Sequence, residues 1–243
     1  MDGFTLGGGM GLAQGCDLRV VTERSRLGMP EVGIGYFPDV GGSYFLSRIP
    51  GELGTYLGVS GAQIQAADAL YCGLADWYLP SEQLAALDEG LDRLNFGDHP
   101  LKDLQGLLAT LGSQTLEDAP LQKLRPAIDH YFALPDLAAI IQQLRAVSIG
   151  DSHPWALATA DQLESRSPLA MAVTLQMLRR GRHRTLEECF AMELHLDRQW
   201  FQYGDIIEGV RALIIDKDKQ PRWNPPTLAG LQRQRVDQFF EGL

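Results

Sequence analysis

The sequence predicts an α/β fold, and three features carry that expectation. Short apolar strands alternate with glycine-rich turns and helix starts through the first third of the chain. From Pro80 onward the leucine spacing becomes helical instead of alternating. Hydrophobic residues make up 45% of the 243 residues, enough to build a buried core. Residues 1–80 read as the α/β core and residues 81–243 as a helical region packed on it, a helical insert followed by C-terminal helices. No linker or low-complexity stretch separates them.

In chain order, Phe4-Thr5-Leu6 is β-prone and apolar and reads as the end of a buried strand. Gly7-Gly8-Gly9 breaks it, and Met10-Gly11-Leu12-Ala13 resumes as a short buried helix. Residues 17–22 and Arg26-Leu27-Gly28 read as strands. A helix is expected from Gly41 to Leu46, another from Glu52 to Leu57, and a third from Ala62 to Tyr71 after the Val59-Ser60-Gly61 break. Asp76–Leu79 reads as a final short strand. Ser81 has the chemistry of an N-cap, with Leu84, Leu87, Leu91 and Leu94 on one helical face. Residues 95–100 form a loop, and residues 101–148 are helical with breaks at Gly112, Pro120 and Pro135. Ser167-Pro168 is a strong helix start, and Thr185 with Glu188 makes a capping box. Glu208–Ile215 reads as a helix with Asp216–Lys219 as its charged exit, followed by a rigid segment containing Pro221, Trp223, Pro225 and Pro226.

Two stretches carry candidate chemistry. The strand–Gly-Gly-Gly–helix turn at Gly7–Gly9 lets a ligand approach the backbone and leaves helix-start N–H groups free for an anion or an oxyanion. Close packing of helix on strand explains the same glycines. The dinucleotide fingerprint fails because Leu12 stands at its third glycine, and no Gly-Lys-Ser/Thr follows to make a P-loop. The second stretch holds Glu31 after Met29-Pro30 and Asp39 after Phe37-Pro38. Each proline stiffens the residue before it. Each acid therefore sits on a rigid, apolar-flanked loop, where a raised pKa suits acid/base work. Alternatively, Asp39 caps the helix that starts near Val40, and Glu31 pairs with an arginine such as Arg26.

The segments MDGFTLGGGMGL, RVVTERSRLGMPEVGIGYFPDVGGSYFLSRIPG and EGVRALIIDKDKQPRWNP together resemble the crotonase (enoyl-CoA hydratase/isomerase) superfamily, and within it the 3-hydroxyisobutyryl-CoA hydrolase branch. The resemblance runs through most of the chain and is weakest over residues 95–160. It implies a spiral of ββα units, of which this chain holds the C-terminal part, and an acyl-CoA thioester substrate of the kind met in valine catabolism. The hydratase branch carries a glutamate where this chain has Gly11, and it lacks the acid that is Asp39 here. The resemblance thus implies thioester hydrolysis more than hydration. It implies that Gly8 N–H donates to the thioester oxyanion, that Glu31 is the main catalytic carboxylate, and that Asp39 binds or orients a substrate hydroxyl. Family members begin with a longer βαβ stretch carrying a second oxyanion N–H, much of the coenzyme A adenine site and a further acidic residue. The expectation is therefore an N-terminally truncated chain: a fragment, a late start, or a half completed by a partner. Such a chain alone is expected to turn over little substrate and to leave an apolar sheet edge open, favouring poor solubility or a homo-oligomer.

Composition narrows the rest. The net charge of −10 argues against nucleic acid and against an anionic membrane as partners. Cys16, Cys72 and Cys189 are odd in number and far apart, which suits a reducing compartment: the cytoplasm of a bacterium, or the mitochondrial matrix of a eukaryote. The scattered histidines give no metal site. No cofactor is called for beyond the coenzyme A of the substrate itself. Arg179–Arg184 is the one basic cluster and reads as a helix end or as a phosphate or partner contact. Lys217 and Lys219 are further candidates to reach coenzyme A phosphates.

Overall fold

The computed structural model describes residues 1–150 and 152–243. The elements in order are β1 (Phe4–Leu6), α1 (Gly8–Gln14), β2 (Val20–Val21), β3 (Arg26–Gly28), α2 (Gly42–Phe45), α3 (Leu53–Ser60), α4 (Ala66–Tyr71) and β4 (Trp77–Tyr78). Helices follow: α5 (Leu84–Arg93), α6 (Pro100–Leu111), α7 (Pro120–Phe132), α8 (Leu137–Ala146) and α9 (His153–Ser165). The last are α10 (Pro168–Gly181), α11 (Leu186–Tyr203), α12 (Ile206–Val210) and α13 (Arg233–Gln238). The chain divides into one unit made of Met1–Leu27 with Gln63–Lys123, and a second made of Gly28–Ala62 with Leu124–Leu243. These units cut across the expected boundary at residue 80, since each draws on both sides of it.

In the first unit β2 and β4 pair in parallel, with Val20 opposite Trp77 and Val21 opposite Tyr78. Arg19 fixes that register. Its backbone N–H and its guanidinium all donate to Asp76, at 2.7–2.9 Å, so the chain just before β2 is tied to the chain just before β4. β1 pairs with β3, and among the described residues its other edge has no strand. β1 forms as expected, but Phe4 is 77% exposed where a buried strand was expected. The expected helix over residues 62–71 starts only at Ala66. Ile64 instead exchanges both backbone hydrogen bonds with Leu27, at 3.0 and 2.8 Å, in an antiparallel bridge. Ser81 is not an N-cap. Its N–H and hydroxyl donate to Glu23, and α5 opens three residues later, after a single tight turn.

The second unit is built around α3. Every residue of α3 is buried, as befits a helix apolar on all sides. Gly54 makes this possible: a Cβ there would lie 1.7 Å from the carbonyl oxygen of Leu46. Gly61, at φ 67°, ends the helix in the left-handed region. α10 begins as predicted, with the Ser167 hydroxyl accepting from Ala170 N–H at 3.0 Å. α11 carries the predicted capping box of Thr185 and Glu188. Trp200 near its C-terminal end is fully buried and donates to the carbonyl of Gly35 at 2.8 Å. Its ring meets Phe37 and Tyr36 edge-on, at 5.2 and 5.8 Å between centroids, so α11 is locked to residues 35–37. The helix expected over 208–215 is α12 followed by a wider turn, in which Asp216 N–H reaches the carbonyl of Arg211. There Arg211 gathers Glu208, Asp216 and Asp218, while nearby Asp205 takes the Ser167 hydroxyl and Asn224 N–H. Among the described residues no helix is long and apolar enough to cross a membrane.

Candidate active site

Glu31 opens a tight helical turn, Glu31–Ile34, that closes at Gly35 with φ 72°. Only glycine fits at position 35, because a Cβ there would sit 2.7 Å from both the Cβ and the carbonyl oxygen of Asp205. The turn leaves the Glu31 side chain 7% exposed, with Oε2 lacking any hydrogen-bond partner among the described residues. Burial pushes its pKa from 4.5 up to about 8, and the negative charge of Asp39 adds to the rise. The alternative of an arginine partner fails: Arg26 donates to the carbonyls of Glu23 and Ser25.

Asp39 is half-buried, and its pKa is raised, first by burial and then by the charge of Asp197. It does not cap α2. The N–H groups of Gly41 and Ser43 both go to the carboxylate of Glu193, at 2.8 and 2.9 Å, and the Ser43 hydroxyl donates to Glu193 at 2.5 Å. Gly42 N–H bonds the backbone oxygen of Asp39, not its carboxylate. The Asp39 carboxylate is thus left for another partner. Between Asp39 and Gly41, Val40 sits at φ 51°, a left-handed conformation that is an outlier for a β-branched residue. Strain of this kind persists only where the surroundings fix the backbone firmly.

Gly8 belongs to the first unit. The Gly7 φ of 56° turns the chain from β1 into α1, and the first helical bonds run from Met10 and Gly11 N–H to the carbonyl of Gly7. Gly8 N–H therefore precedes the helical ladder and has no acceptor among the described residues.

Glu193 and Asp197 stand beside Asp39 although sequence reasoning assigned them no role. The available signal was their place on α11: one turn apart, within the stripe formed by Cys189, Met192, Leu196 and Trp200, which is otherwise apolar and buried. The basic cluster resolves mostly into structural contacts. Arg179 donates to the carbonyls of Leu134 and Pro135, Arg180 lies 4.3 Å over the Phe240 ring, and Arg182 pairs with Glu52. Lys217 and Lys219 are exposed. Cys16, Cys72 and Cys189 form no disulfide among the described residues. Among the described residues no group of three or more His, Cys, Asp or Glu could hold a metal ion.

The enoyl-CoA hydratase/isomerase family model matches residues 1–240. A mitochondrial 3-hydroxyisobutyryl-CoA hydrolase of Danio rerio is 36% identical over the whole chain, which spans 63% of that relative. The small ribosomal subunit protein mS47 of Arabidopsis thaliana is 35% identical over 99% of the chain, which spans 59% of that protein. The crystal structure of a carnitinyl-CoA dehydratase from Mycobacterium thermoresistibile superposes with a TM-score of 0.87 at 34% identity, covering 100% of this chain and 67% of that one. The chain therefore spans less than two thirds of these two curated relatives. With its core motifs, its fold and its whole-length match in agreement, the chain belongs to the enoyl-CoA hydratase/isomerase family and has its crotonase-like α/β fold.

Proposed function

We propose that the chain is the core of an acyl-CoA thioester hydrolase of the 3-hydroxyisobutyryl-CoA type. The observation that carries this reading is the pair of Glu31 and Asp39: one buried carboxylate with an unpartnered oxygen, beside a second carboxylate that caps nothing. In the proposed reaction ionised Glu31 takes a proton from the water that attacks the thioester carbonyl, or attacks the carbonyl itself. The C–S bond breaks, and coenzyme A leaves as thiolate and takes up a proton. Where Glu31 is the nucleophile, water then cleaves the acyl–Glu31 anhydride, which releases the free acid and restores the carboxylate. Gly8 N–H donates to the oxygen that becomes negative. Asp39 accepts from the 3-hydroxyl of the acyl group. The high pKa of Glu31 makes its carboxylate a stronger base than an exposed one, at the cost of being mostly protonated below about 8.

Gly11 supports hydrolysis over hydration. It is buried in α1 and supplies no carboxylate where hydratases of the family place one. The substrate is the one macromolecule-free partner that the reading requires, and coenzyme A enters as part of it with no separate cofactor. The mitochondrial label of the Danio rerio relative and cysteines outside any disulfide suit a reducing compartment such as the matrix or a bacterial cytoplasm. Two other readings have an observation behind them. A hydratase or isomerase agrees with the dehydratase neighbour, and a non-catalytic chain of the same fold agrees with the ribosomal relative. Release of free thiol from 3-hydroxyacyl-CoA, measured beside loss of enoyl-CoA absorbance on this chain and on a form extended upstream to the length of its relatives, separates all three: thiol alone, enoyl loss, or neither in the extended form.

A further inference from the structure

We infer that one face of α11 is the positioning element for Asp39, with Glu193 and Asp197 clamping the chain on either side of it. The inference rests on the proposed hydrolase for its functional consequence but not for its geometry. On the N-terminal side, Tyr36 donates its hydroxyl to Asp197 Oδ1 at 2.6 Å. On the C-terminal side, Glu193 accepts from Gly41 N–H with Oε2 and from both Ser43 N–H and the Ser43 hydroxyl with Oε1. Glu193 and Asp197 lie four residues apart, one helical turn, so both point the same way. Residues 36–43, with Asp39 between the two anchors, are therefore held to a single rigid surface.

The chemistry of the anchors suits that task. A carboxylate accepting two backbone N–H groups and a hydroxyl is a strong, directional restraint. Glu193 is 4% exposed, so water does not compete for its oxygens. The clamp also accounts for Val40. A β-branched residue at φ 51° relaxes unless its neighbours are held, and Glu193 fixes the very next N–H. A single helix face thus holds the turn that aims the Asp39 carboxylate, and it does so from about 150 residues further along the chain.

Glu193 and Asp197 are positioning residues, and two kinds of measurement test them. Hydrogen exchange of the Gly41 and Ser43 amides reads the clamp without needing turnover. Glu193→Gln keeps the shape but points an amide N–H₂ at existing donors, so exchange at those two amides should rise about tenfold to a hundredfold, while amides of α3 and α10 keep their protection. Tyr36→Phe and Ser43→Ala each remove one hydroxyl and serve where Glu193→Gln folds poorly. Each should reduce the preference for 3-hydroxyacyl-CoA over the unhydroxylated acyl-CoA severalfold, with little change in melting temperature. Unchanged exchange at Gly41 and Ser43 in Glu193→Gln overturns the clamp. Loosened amides with unchanged substrate preference overturn its role in aiming Asp39. If a form extended upstream to the length of the relatives releases no thiol from either substrate, the hydrolase reading fails, and the exchange result still decides the clamp.

Discussion

Replacing Glu31 by glutamine should change stability in a way that depends on pH, and the sign follows from burial. In the folded protein Glu31 has a pKa of about 8 against an ordinary 4.5. The native state therefore keeps a proton that the unfolded chain gives up. Stability is intact below 4.5, falls as pH rises toward 8, and levels off above it. The gap of about 3.5 pH units, at about 1.4 kcal/mol each, makes the full loss about 5 kcal/mol. Glutamine cannot ionise and escapes that loss. It does bury an amide whose donors find no acceptor, at a cost of about 1–3 kcal/mol. Near pH 5 the variant should be less stable than the parent by about that cost, and near pH 9 more stable by about 2–4 kcal/mol. Urea melts of both proteins at pH 5, 7 and 9, followed by tryptophan fluorescence, measure the difference directly. Trp155, Trp200 and Trp223 all lie in the unit that holds Glu31, so the signal reports on the right part of the chain. Other titrating groups cancel in the comparison. A difference that stays constant across pH would show that Glu31 is not a desolvated carboxylate, and the acid/base argument would fall with it.

Three further outcomes are expected. Asp39→Asn should slow hydrolysis of hydroxyacyl substrates by about one to two decades while sparing the unhydroxylated acyl-CoA, because a charge-assisted hydrogen bond is worth about 1.5–3 kcal/mol; equal losses in steady-state kinetics would make Asp39 structural. Gly54→Ala should destabilise by about 3 kcal/mol or more, since its Cβ would collide with the Leu46 carbonyl, whereas Gly106→Ala, with open space on α6, should stabilise by about 0.5–1 kcal/mol in the same melts. Thr185→Ala should cost about 1 kcal/mol by removing the hydroxyl that caps α11.

The parts of this fold that were legible in the sequence depend on near neighbours. Ser167 with Pro168, and Thr185 with Glu188, cap their own helices within three residues, and both formed as read. Glu31 and Asp39 stand out as candidates in the sequence because proline and glycine around them leave few backbone choices. What stayed hidden depends on partners far along the chain. Ser81 has ideal cap chemistry, but Glu23, 58 residues earlier, captures it. Ile64 reads as helix until Leu27 offers a backbone to pair with. Glu193 looks like an ordinary helical glutamate, and only the approach of Gly41 and Ser43 gives it the capping role that was the alternative reading of Asp39. The positive φ of Val40 has no local signal at all, because nothing about valine favours it.

Glu31 and Asp39 are proposed to serve hydrolysis of a hydroxyacyl thioester. The most direct measurement follows both reactions in one protein: thiol released from 3-hydroxyisobutyryl-CoA, and absorbance lost from the corresponding enoyl-CoA. Thiol release should dominate and rise with pH through about 8 as Glu31 ionises. Dominant loss of the enoyl absorbance, with no thiol released, would make the protein a hydratase in which Glu31 and Asp39 do not serve hydrolysis.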